Sequence, residues 1–280
     1  MARPHPETIS PTAHYTGYVW LAHGLSNAAF ATLPGRAMYQ ALRPANLAAG
    51  FAGLPTLEGM LLARHRLIDL RLAEAIDSGE VSQVIEVACG LSPRGWRFRT
   101  RYGDRLTYIE ADLPGMLENK RRILEKLGGE TEGHRTAEIN ALADDGPTSI
   151  AALCETLDPA RGTAIITEGL INYFDLETVV GIWSRFQRAL ALFPTGTYIT
   201  DIMTSGDNNG ALVNGAMKII STFVRGAVHL HFETPQAVED KLDTLGFDAA
   251  VLSPNDYAAE LPGIERAGAA HVRIVEAIAR

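Results

Sequence analysis

A short apolar strand and the small residues that follow it read Val84-Ile85-Glu86-Val87-Ala88-Cys89-Gly90-Leu91-Ser92. The run from residue 84 to residue 88 is apolar apart from one glutamate, which is typical of a strand that is buried on both faces. Small residues at positions 88, 90 and 92 would let a ligand approach the backbone closely. A tight turn between a strand and a helix would also require small residues, so this pattern alone leaves both interpretations open.

Apolar strands and amphipathic helices alternate along the chain around this stretch. Besides residues 84–88, the predicted strands are residues 106–109, 135–139, 163–167, 197–200, 249–252 and 271–278. Predicted helices begin at Thr56 as an N-cap, at Pro114 in a first turn, at Asp175 as an N-cap and at Pro235. The alternation predicts an α/β fold, Rossmann-like, with a seven-stranded, mostly parallel sheet and helices on both faces.

The first 55 residues differ from the rest in composition, since they are rich in Gly, Pro, His and Tyr. We interpret residues 1–55 as a helical N-terminal cap or lid segment. Residues 56–280 are predicted to form one Rossmann-like domain. A long interruption of the pattern at about residues 205–232 is predicted to be a lid insertion.

Composition and charge exclude several classes of protein. The chain of 280 residues is 46% hydrophobic, which suffices for a large core, and its net charge is −8. This charge disfavours nucleic acid and anionic membranes as partners. There are two cysteines, no signal-peptide pattern at the N-terminus and no apolar run that could span a membrane. The sequence therefore predicts a soluble cytoplasmic protein.

The turn after residue 87 discriminates between two kinds of nucleotide site. A dinucleotide-binding loop requires glycine at three positions that here carry Ala88, Gly90 and Pro93. Pro93 would disturb the close packing of helix and strand, which disfavours an NAD-dependent oxidoreductase. An acidic residue followed by small residues at alternate positions, as in Glu86, Ala88 and Gly90, is instead the glycine-loop pattern of methyltransferases in degenerate form.

Charged residues follow two further strands or lie on an apolar helix stripe. Asp112 comes 22 residues after Gly90, where a carboxylate can accept hydrogen bonds from a ribose, and Glu110 is the alternative. Glu168 ends a buried strand and could bind the ammonium of a methionine moiety. Arg64 lies on an apolar stripe and could bind the carboxylate of the same moiety. Both side chains could equally pair with each other or with protein neighbours.

Lys120 also lies on an apolar helix stripe. Because a lysine stem can follow an apolar surface to water, we expect its ammonium to reach solvent.

Four segments together resemble the leucine carboxyl methyltransferase-like family, which includes O-methyltransferases of polyketide pathways. They are residues 62–69 (LARHRLID), 83–94 (QVIEVACGLSPR), 108–120 (YIEADLPGMLENK) and 166–173 (ITEGLINY). The order and spacing of these segments over roughly residues 60–200 are more specific than any one motif. The resemblance implies a class I methyltransferase that uses S-adenosylmethionine and releases S-adenosylhomocysteine.

The resemblance also implies roles for particular residues. It implies that Arg64 binds the methionine carboxylate, that Asp112 binds the ribose, and that Glu168 helps to hold the methionine end. The loop from Ala88 to Gly90 is then expected to pass beneath the cofactor, and Glu86 before it is predicted to bind the cofactor.

This chain departs from the family pattern at two positions. Ala88 replaces a glycine, which could tighten the pocket. Asn140, followed by Ala141, stands where the family tends to carry aspartate, and its carbonyl oxygen could still accept a hydrogen bond from an adenine amino group.

The acceptor is predicted to be a small molecule that is methylated on a carboxylate or a hydroxyl. A carboxylate acceptor needs no general base, whereas a hydroxyl acceptor would benefit from one. The candidate bases are His14, His23, His229 and Tyr173, and the candidate substrate-binding residues are Tyr15, Tyr18 and Tyr173. His229 and His231 have no third ligand nearby in the sequence, and no metal is predicted.

Two alternatives remain at this stage. The degenerate positions Ala88 and Asn140 would suit a regulatory or binding module that keeps the fold without turnover. The family resemblance would also allow methylation of a protein carboxyl group.

Overall fold

The computed structural model describes residues 11–208 and 228–280. The α-helices in these residues are α1 (Pro11–Ala22), α2 (Leu33–Phe51), α3 (Leu57–Asp77), α4 (Arg94–Tyr102), α5 (Pro114–Glu125), α6 (Ile150–Cys154), α7 (Leu176–Leu190), α8 (Pro235–Thr244) and α9 (Arg266–Ala269). The strands are β1 (Gln83–Val87), β2 (Thr107–Asp112), β3 (His134–Glu138), β4 (Thr163–Thr167), β5 (Gly196–Ile202), β6 (Phe247–Leu252) and β7 (Arg273–Ala279).

The strands form one seven-stranded sheet in the order β3-β2-β1-β4-β5-β7-β6. Strands β1 to β5 are parallel, and β7 lies antiparallel between β5 and β6. The predicted α/β fold with a mostly parallel sheet is therefore confirmed. The order reverses direction after β1, which lies at the centre of the sheet, and ligands of open α/β sheets bind at such a point.

Both faces of the sheet are covered by helices. Ile85 and Val87 of β1 pack on one side in a cluster that includes Trp183 of α7. Val84 lies in the cluster on the opposite side, together with Leu72 of α3. Successive side chains of a strand point to opposite faces, so apolar residues at both odd and even positions of β1 contribute to both cores.

The predicted helix starts agree with the capping hydrogen bonds. The Thr56 hydroxyl accepts a hydrogen bond from the Gly59 backbone N–H at 2.9 Å, and α3 follows. The Asp175 carboxylate accepts one from the Thr178 N–H at 2.8 Å, and α7 follows. These side chains satisfy backbone donors that the first turn of a helix leaves free.

The expectation that Lys120 reaches solvent is wrong. Its side chain is fully buried, its ammonium forms an ion pair with Glu110, and it donates a hydrogen bond to the Ser92 carbonyl at 2.6 Å. Glu110 also contacts His134 at 2.6 Å. A buried ammonium requires such partners, because an unpaired buried charge is very costly.

Helices α1 and α2 precede the domain predicted to begin at residue 56. Tyr15 and Val19 of α1 pack against Leu61 of α3, so that α1 lies over the site described below. The division at residue 55 stays a prediction. Most of the predicted lid at about residues 205–232 falls on residues 209–227, which lie outside the described residues. In the described ranges, no helix is long and apolar enough to cross a membrane.

Candidate functional site

A cavity of about 300 Å³ lies at the carboxyl ends of the parallel strands, within the size range of small-molecule sites. Its walls come from the loop after β1, the end of β2, the loop after β4 and the end of β5, and α1 and α3 cover it. The corresponding residues are Ala88 to Leu91, Asp112, Glu168 to Leu170 and Asp201. Because parallel strands end at one edge of the sheet, residues distant in sequence meet there.

The loop after β1 adopts a backbone conformation that favours glycine. Ala88 has φ of +54° and Gly90 has φ of +50°, and Ala88 is the one non-glycine with positive φ in the described residues. A β-carbon in this region costs about 1–2 kcal/mol. The family's glycine at position 88 thus has a physical reason, and this chain tolerates alanine there at a cost in strain.

Asp112 is oriented by the same loop. One carboxylate oxygen accepts a hydrogen bond from the Gly90 N–H at 2.8 Å, and the other accepts one from the Leu113 N–H at 2.8 Å. Burial raises the pKa of Asp112, although both backbone bonds act in the opposite direction. Each oxygen keeps acceptor capacity, so the carboxylate could receive two neighbouring hydroxyl groups.

Arg64 forms ion pairs with two carboxylates. Its Nε donates to Glu168 at 3.0 Å and its Nη1 approaches Asp201 at 3.2 Å. The pairing of Arg64 with Glu168 is therefore present in the structure. A guanidinium has five N–H groups, and these two contacts leave three for a ligand.

Asp201 was missed by the sequence reasoning, although a signal was there. It lies in β5 directly after the predicted strand 197–200, just as Glu168 follows β4. Its other oxygen accepts a hydrogen bond from the Gly169 N–H at 2.6 Å, and burial raises its pKa. The rule that found Glu168, a carboxylate at the end of an apolar strand, would have found Asp201 as well.

Behind the cavity lies an ionic network centred on Arg94. This fully buried side chain contacts Glu168 at 2.5 Å, Glu86 at 2.5 Å and Asp69 at 2.6 Å. His65 lies 2.8 Å from Glu168. Burial alone would raise the pKa of Glu168, but His65 and Arg94 outweigh it and hold that pKa well below its usual range. Glu168 is thus an ionised carboxylate held by protein partners.

Two predicted acidic ligands need correction. Glu86 does not line the cavity, because its oxygens contact Arg94 and the Tyr108 hydroxyl, the latter at 2.9 Å. Glu110, the alternative to Asp112, is bound to Lys120 and lies outside the cavity. Both carboxylates lie in strand interiors, where the fold surrounds them with protein donors.

Asn140 and Ala141 are also absent from the cavity lining. The Asn140 side chain accepts a hydrogen bond from the Leu142 N–H at 3.0 Å and shapes a turn. The assignment of Asn140 and Ala141 to an adenine ring stays a prediction.

The histidines proposed as bases lie elsewhere. His14 contacts the Thr32 hydroxyl at 2.8 Å, and His23 contacts Glu58 at 2.9 Å. His229 is held by its backbone, which donates to the Asn172 carbonyl at 2.7 Å. None of the three lines the cavity that the described residues form.

Two of the three predicted tyrosines do line it. Tyr15 and Tyr173 are part of the wall, whereas Tyr18 packs against Tyr39 with ring centres 5.2 Å apart and is not. Burial raises the pKa values of Tyr15 and Tyr173, so that both keep their hydroxyl proton at neutral pH. They can orient a ligand more readily than they can accept a proton.

The cavity fits an adenosyl-amino-acid ligand. An oriented carboxylate lies beside a loop whose backbone is open to close approach, and a guanidinium with spare donors lies beside carboxylates. These groups match a ribose and a zwitterionic amino acid. Within residues 11–208 and 228–280, no three His, Cys, Asp or Glu side chains come together in a way that could hold a metal ion.

Comparisons with solved structures agree with the fold. The chain is similar to a Thermobifida fusca protein described as a methyltransferase, with a TM-score of 0.67, 12% identity and coverage of 99% of this chain and 98% of that one. It is also similar to a DUF574 family protein from Streptomyces avermitilis, with a TM-score of 0.64, 16% identity and coverage of 98% and 99%. At these identities the likeness concerns the fold alone.

Curated relatives match the sequence over a shorter segment. A protein of Mycobacterium tuberculosis H37Rv named as an S-adenosyl-L-methionine-dependent methyltransferase is 32% identical over 115 residues, which are 41% of this chain and 37% of the relative. A Mycolicibacterium smegmatis protein of like name is 35% identical over 129 residues, which are 45% of this chain and 39% of the relative. The match thus spans less than half the length of these relatives.

The family model described as "Leucine carboxyl methyltransferase" matches residues 21–186, more than half of the chain. That range contains α3, the loop after β1, Asp112 and Glu168. The resemblance drawn from the four sequence segments is confirmed, and so is S-adenosylmethionine as the cofactor of the group. The chain belongs to the leucine carboxyl methyltransferase family of S-adenosylmethionine-dependent methyltransferases.

Proposed function

We propose that this chain transfers a methyl group from S-adenosylmethionine to an oxygen of a small molecule. The observation that supports the proposal best is the pair of hydrogen bonds that hold the Asp112 carboxylate at the cavity wall. The Gly90 N–H donates to one oxygen and the Leu113 N–H to the other, each at 2.8 Å. This arrangement prepares both oxygens for the two hydroxyls of a ribose.

The proposed cofactor contacts divide the cavity into two parts. Asp112 and the loop Ala88 to Leu91 receive the nucleoside. Arg64 receives the methionine carboxylate with its spare N–H groups, and the ammonium lies near Asp201 and Glu168. The cofactor supplies an electrophilic methyl group on a sulfonium. The protein contributes proximity and alignment.

Methyl transfer is tested by incubating the protein with S-adenosylmethionine and a panel of small hydroxyl and carboxyl compounds. We expect S-adenosylhomocysteine to form in proportion to a methylated product. Asp112→Asn should raise the KM for the cofactor at least tenfold, because an amide replaces two carboxylate acceptors. Methylation that is unaffected by this substitution would contradict the assignment.

The same assay separates the alternatives. Tight binding of S-adenosylhomocysteine without turnover on any acceptor would favour a binding module. Methylation of a protein carboxyl group with no small-molecule product would favour a protein methyltransferase.

A further inference from the structure

The wall of the cavity beyond the proposed cofactor contacts contains an apolar part, next to the polar residues Thr12 and Thr16 of α1. Leu57, Met60 and Leu61 lie on the Arg64 face of α3, and Leu42 of α2 joins them in the wall. A helix rises about 1.5 Å per residue, so these α3 side chains begin roughly 5–10 Å from Arg64 along the axis. The space that they enclose with Tyr15 is suited to an acceptor beside the methionine end.

The charges of the wall disfavour an anion in that space. The ionisable lining residues in the described part of the chain, tyrosines and Cys89 aside, are one cation, Arg64, and three carboxylates, Asp112, Glu168 and Asp201. The single guanidinium is already bonded to two of these carboxylates. A carboxylate acceptor in the apolar part would lose its hydration without gaining a free cation from the described wall, and this loss is costly even beside the sulfonium of the cofactor.

Tyr15 lies in the wall of the same space, and its hydroxyl oxygen has a fixed partner. The Asn46 side-chain nitrogen donates to the Tyr15 oxygen at 3.1 Å and to a Glu58 oxygen at 2.8 Å. Since a carboxylate only accepts, the amide of Asn46 must present its nitrogen there. His23 holds the other Glu58 oxygen at 2.9 Å and so helps to fix the orientation.

The hydroxyl proton of Tyr15 must therefore point away from the Asn46 nitrogen. Its oxygen accepts from Asn46, the side chain is only 6% exposed, and the described residues offer its hydroxyl no acceptor. Tyr15 also lines the cavity. Burial and the nearby Glu58 carboxylate raise its pKa, which keeps the proton in place.

We propose that the methyl acceptor is an uncharged, largely apolar hydroxyl compound, such as a phenol, whose oxygen accepts a hydrogen bond from Tyr15. This inference rests on the proposed function and narrows it against the carboxylate acceptor in the family's name. An oxygen lone pair forms the new O–CH₃ bond, and the S–CH₃ bond breaks with its electron pair left on sulfur. The hydroxyl proton is released to water.

The test uses two probes of the same shape, 2-naphthol and 2-naphthoate, which are neutral and anionic at pH 7. Each is titrated calorimetrically into the protein saturated with S-adenosylhomocysteine. We expect 2-naphthol to bind at least tenfold more tightly than 2-naphthoate. Equal affinity, tighter binding of the acid or binding of neither probe would overturn the inference. If S-adenosylhomocysteine itself does not bind, the proposed function fails instead.

Three variants examine the physical reasons. Tyr15→Phe should weaken 2-naphthol binding roughly five- to tenfold by removing one hydrogen bond. Tyr18→Phe on the same helix, whose ring does not line the cavity, is the matched control and should change nothing. Leu57→Lys places a free ammonium in the apolar part and should reverse the preference in favour of 2-naphthoate. An unchanged preference in Leu57→Lys, or an unchanged affinity in Tyr15→Phe, would count against the inference.

Discussion

The residues that contact Arg64 leave almost no space for a larger side chain at Gly169. Gly169 has φ of +67°, and a β-carbon placed on it would lie 2.9 Å from Arg64 Nη2. The guanidinium is held by Glu168 and Asp201, so it cannot move away freely. Gly169 is therefore required for two reasons, its positive φ and the lack of space for a β-carbon beside Arg64.

We predict that Gly169→Ala lowers the affinity for S-adenosylhomocysteine at least tenfold, because it displaces Arg64. Gly79→Ala is the matched control, since Gly79 has φ of +83° and no atom within 4 Å of the added β-carbon. Both substitutions should cost about 1–2 kcal/mol of unfolding free energy. Calorimetric titration and urea denaturation measure the two effects, and equal affinities in both variants would refute the prediction.

At Ala88, which also has a positive φ, the β-carbon can be removed instead of added. Ala88→Gly removes a β-carbon at φ of +54° and should increase the free energy of unfolding by up to about 1 kcal/mol. Ala73→Gly, in the interior of α3, should decrease it by about 1 kcal/mol. Urea denaturation of both variants checks the signs, and a loss of stability in Ala88→Gly would show that the strain argument does not hold.

How far the sequence predicts the site differs from residue to residue. Asp112 could be found because it follows a strand at a fixed distance from the loop after β1. Arg94 could not be found from its own apolar surroundings, because its partners come from three distant elements. Arg94 is the first residue of α4, where a basic side chain opposes the helix dipole, but the sequence predicted no helix at that position.

At the scale of elements, α4 is a helix held in place mainly by ion pairs. The helix reads RGWRFRTRY and buries only Arg94, Gly95, Phe98 and Tyr102. Its apolar stripe is too short for a period of 3.6 residues to be recognised, and the sequence reasoning predicted no helix there. The ion pairs of Arg94 with β1, α3 and the loop after β4 attach α4 to the site.

We predict that Arg94→Met lowers the free energy of unfolding by about 3–5 kcal/mol, because it leaves three carboxylates without their common cation. Arg101→Met, in the same helix, is the control: that side chain is 59% exposed and pairs with Asp77 at the surface. It should cost less than about 1 kcal/mol. The measurement is urea denaturation at pH 7, and equal losses in the two variants would be inconsistent with a buried network.

The pH dependence of stability follows from the same network. Contacts with His65 and Arg94 lower the pKa of Asp69 despite its burial. A carboxylate with a lowered pKa stabilises the fold above its ordinary pKa, and this contribution is lost as the pH falls through the lowered value. Asp69→Asn should therefore be less stable than the unsubstituted protein at pH 7, and the gap should narrow on acidification. Denaturation curves between pH 7 and pH 2 test this, because the gap narrows only below the ordinary pKa of an aspartate, and a gap that stays constant over this range would contradict it.

At the scale of the whole molecule, the alternation of strands and helices was sufficient to predict the sheet. Central strands such as β1 and β4 are mostly apolar and buried at every position, which requires a sheet covered on both faces. The sequence predicted a helical N-terminal cap but not that α1 packs onto α3 above the cavity. That packing depends on side chains far apart in sequence. The proposed acceptor class rests on the charge of the assembled wall, which no segment reveals alone.

The central claim is that this cavity binds S-adenosylmethionine through Asp112. The most direct test is calorimetric titration of the protein with S-adenosylmethionine, repeated with Asp112→Ala and with Asp104→Ala, an exposed carboxylate control. We predict one site per chain, an affinity at least tenfold weaker in Asp112→Ala and no change in Asp104→Ala. Absence of binding by the unsubstituted protein, or equal binding by Asp112→Ala, would contradict it.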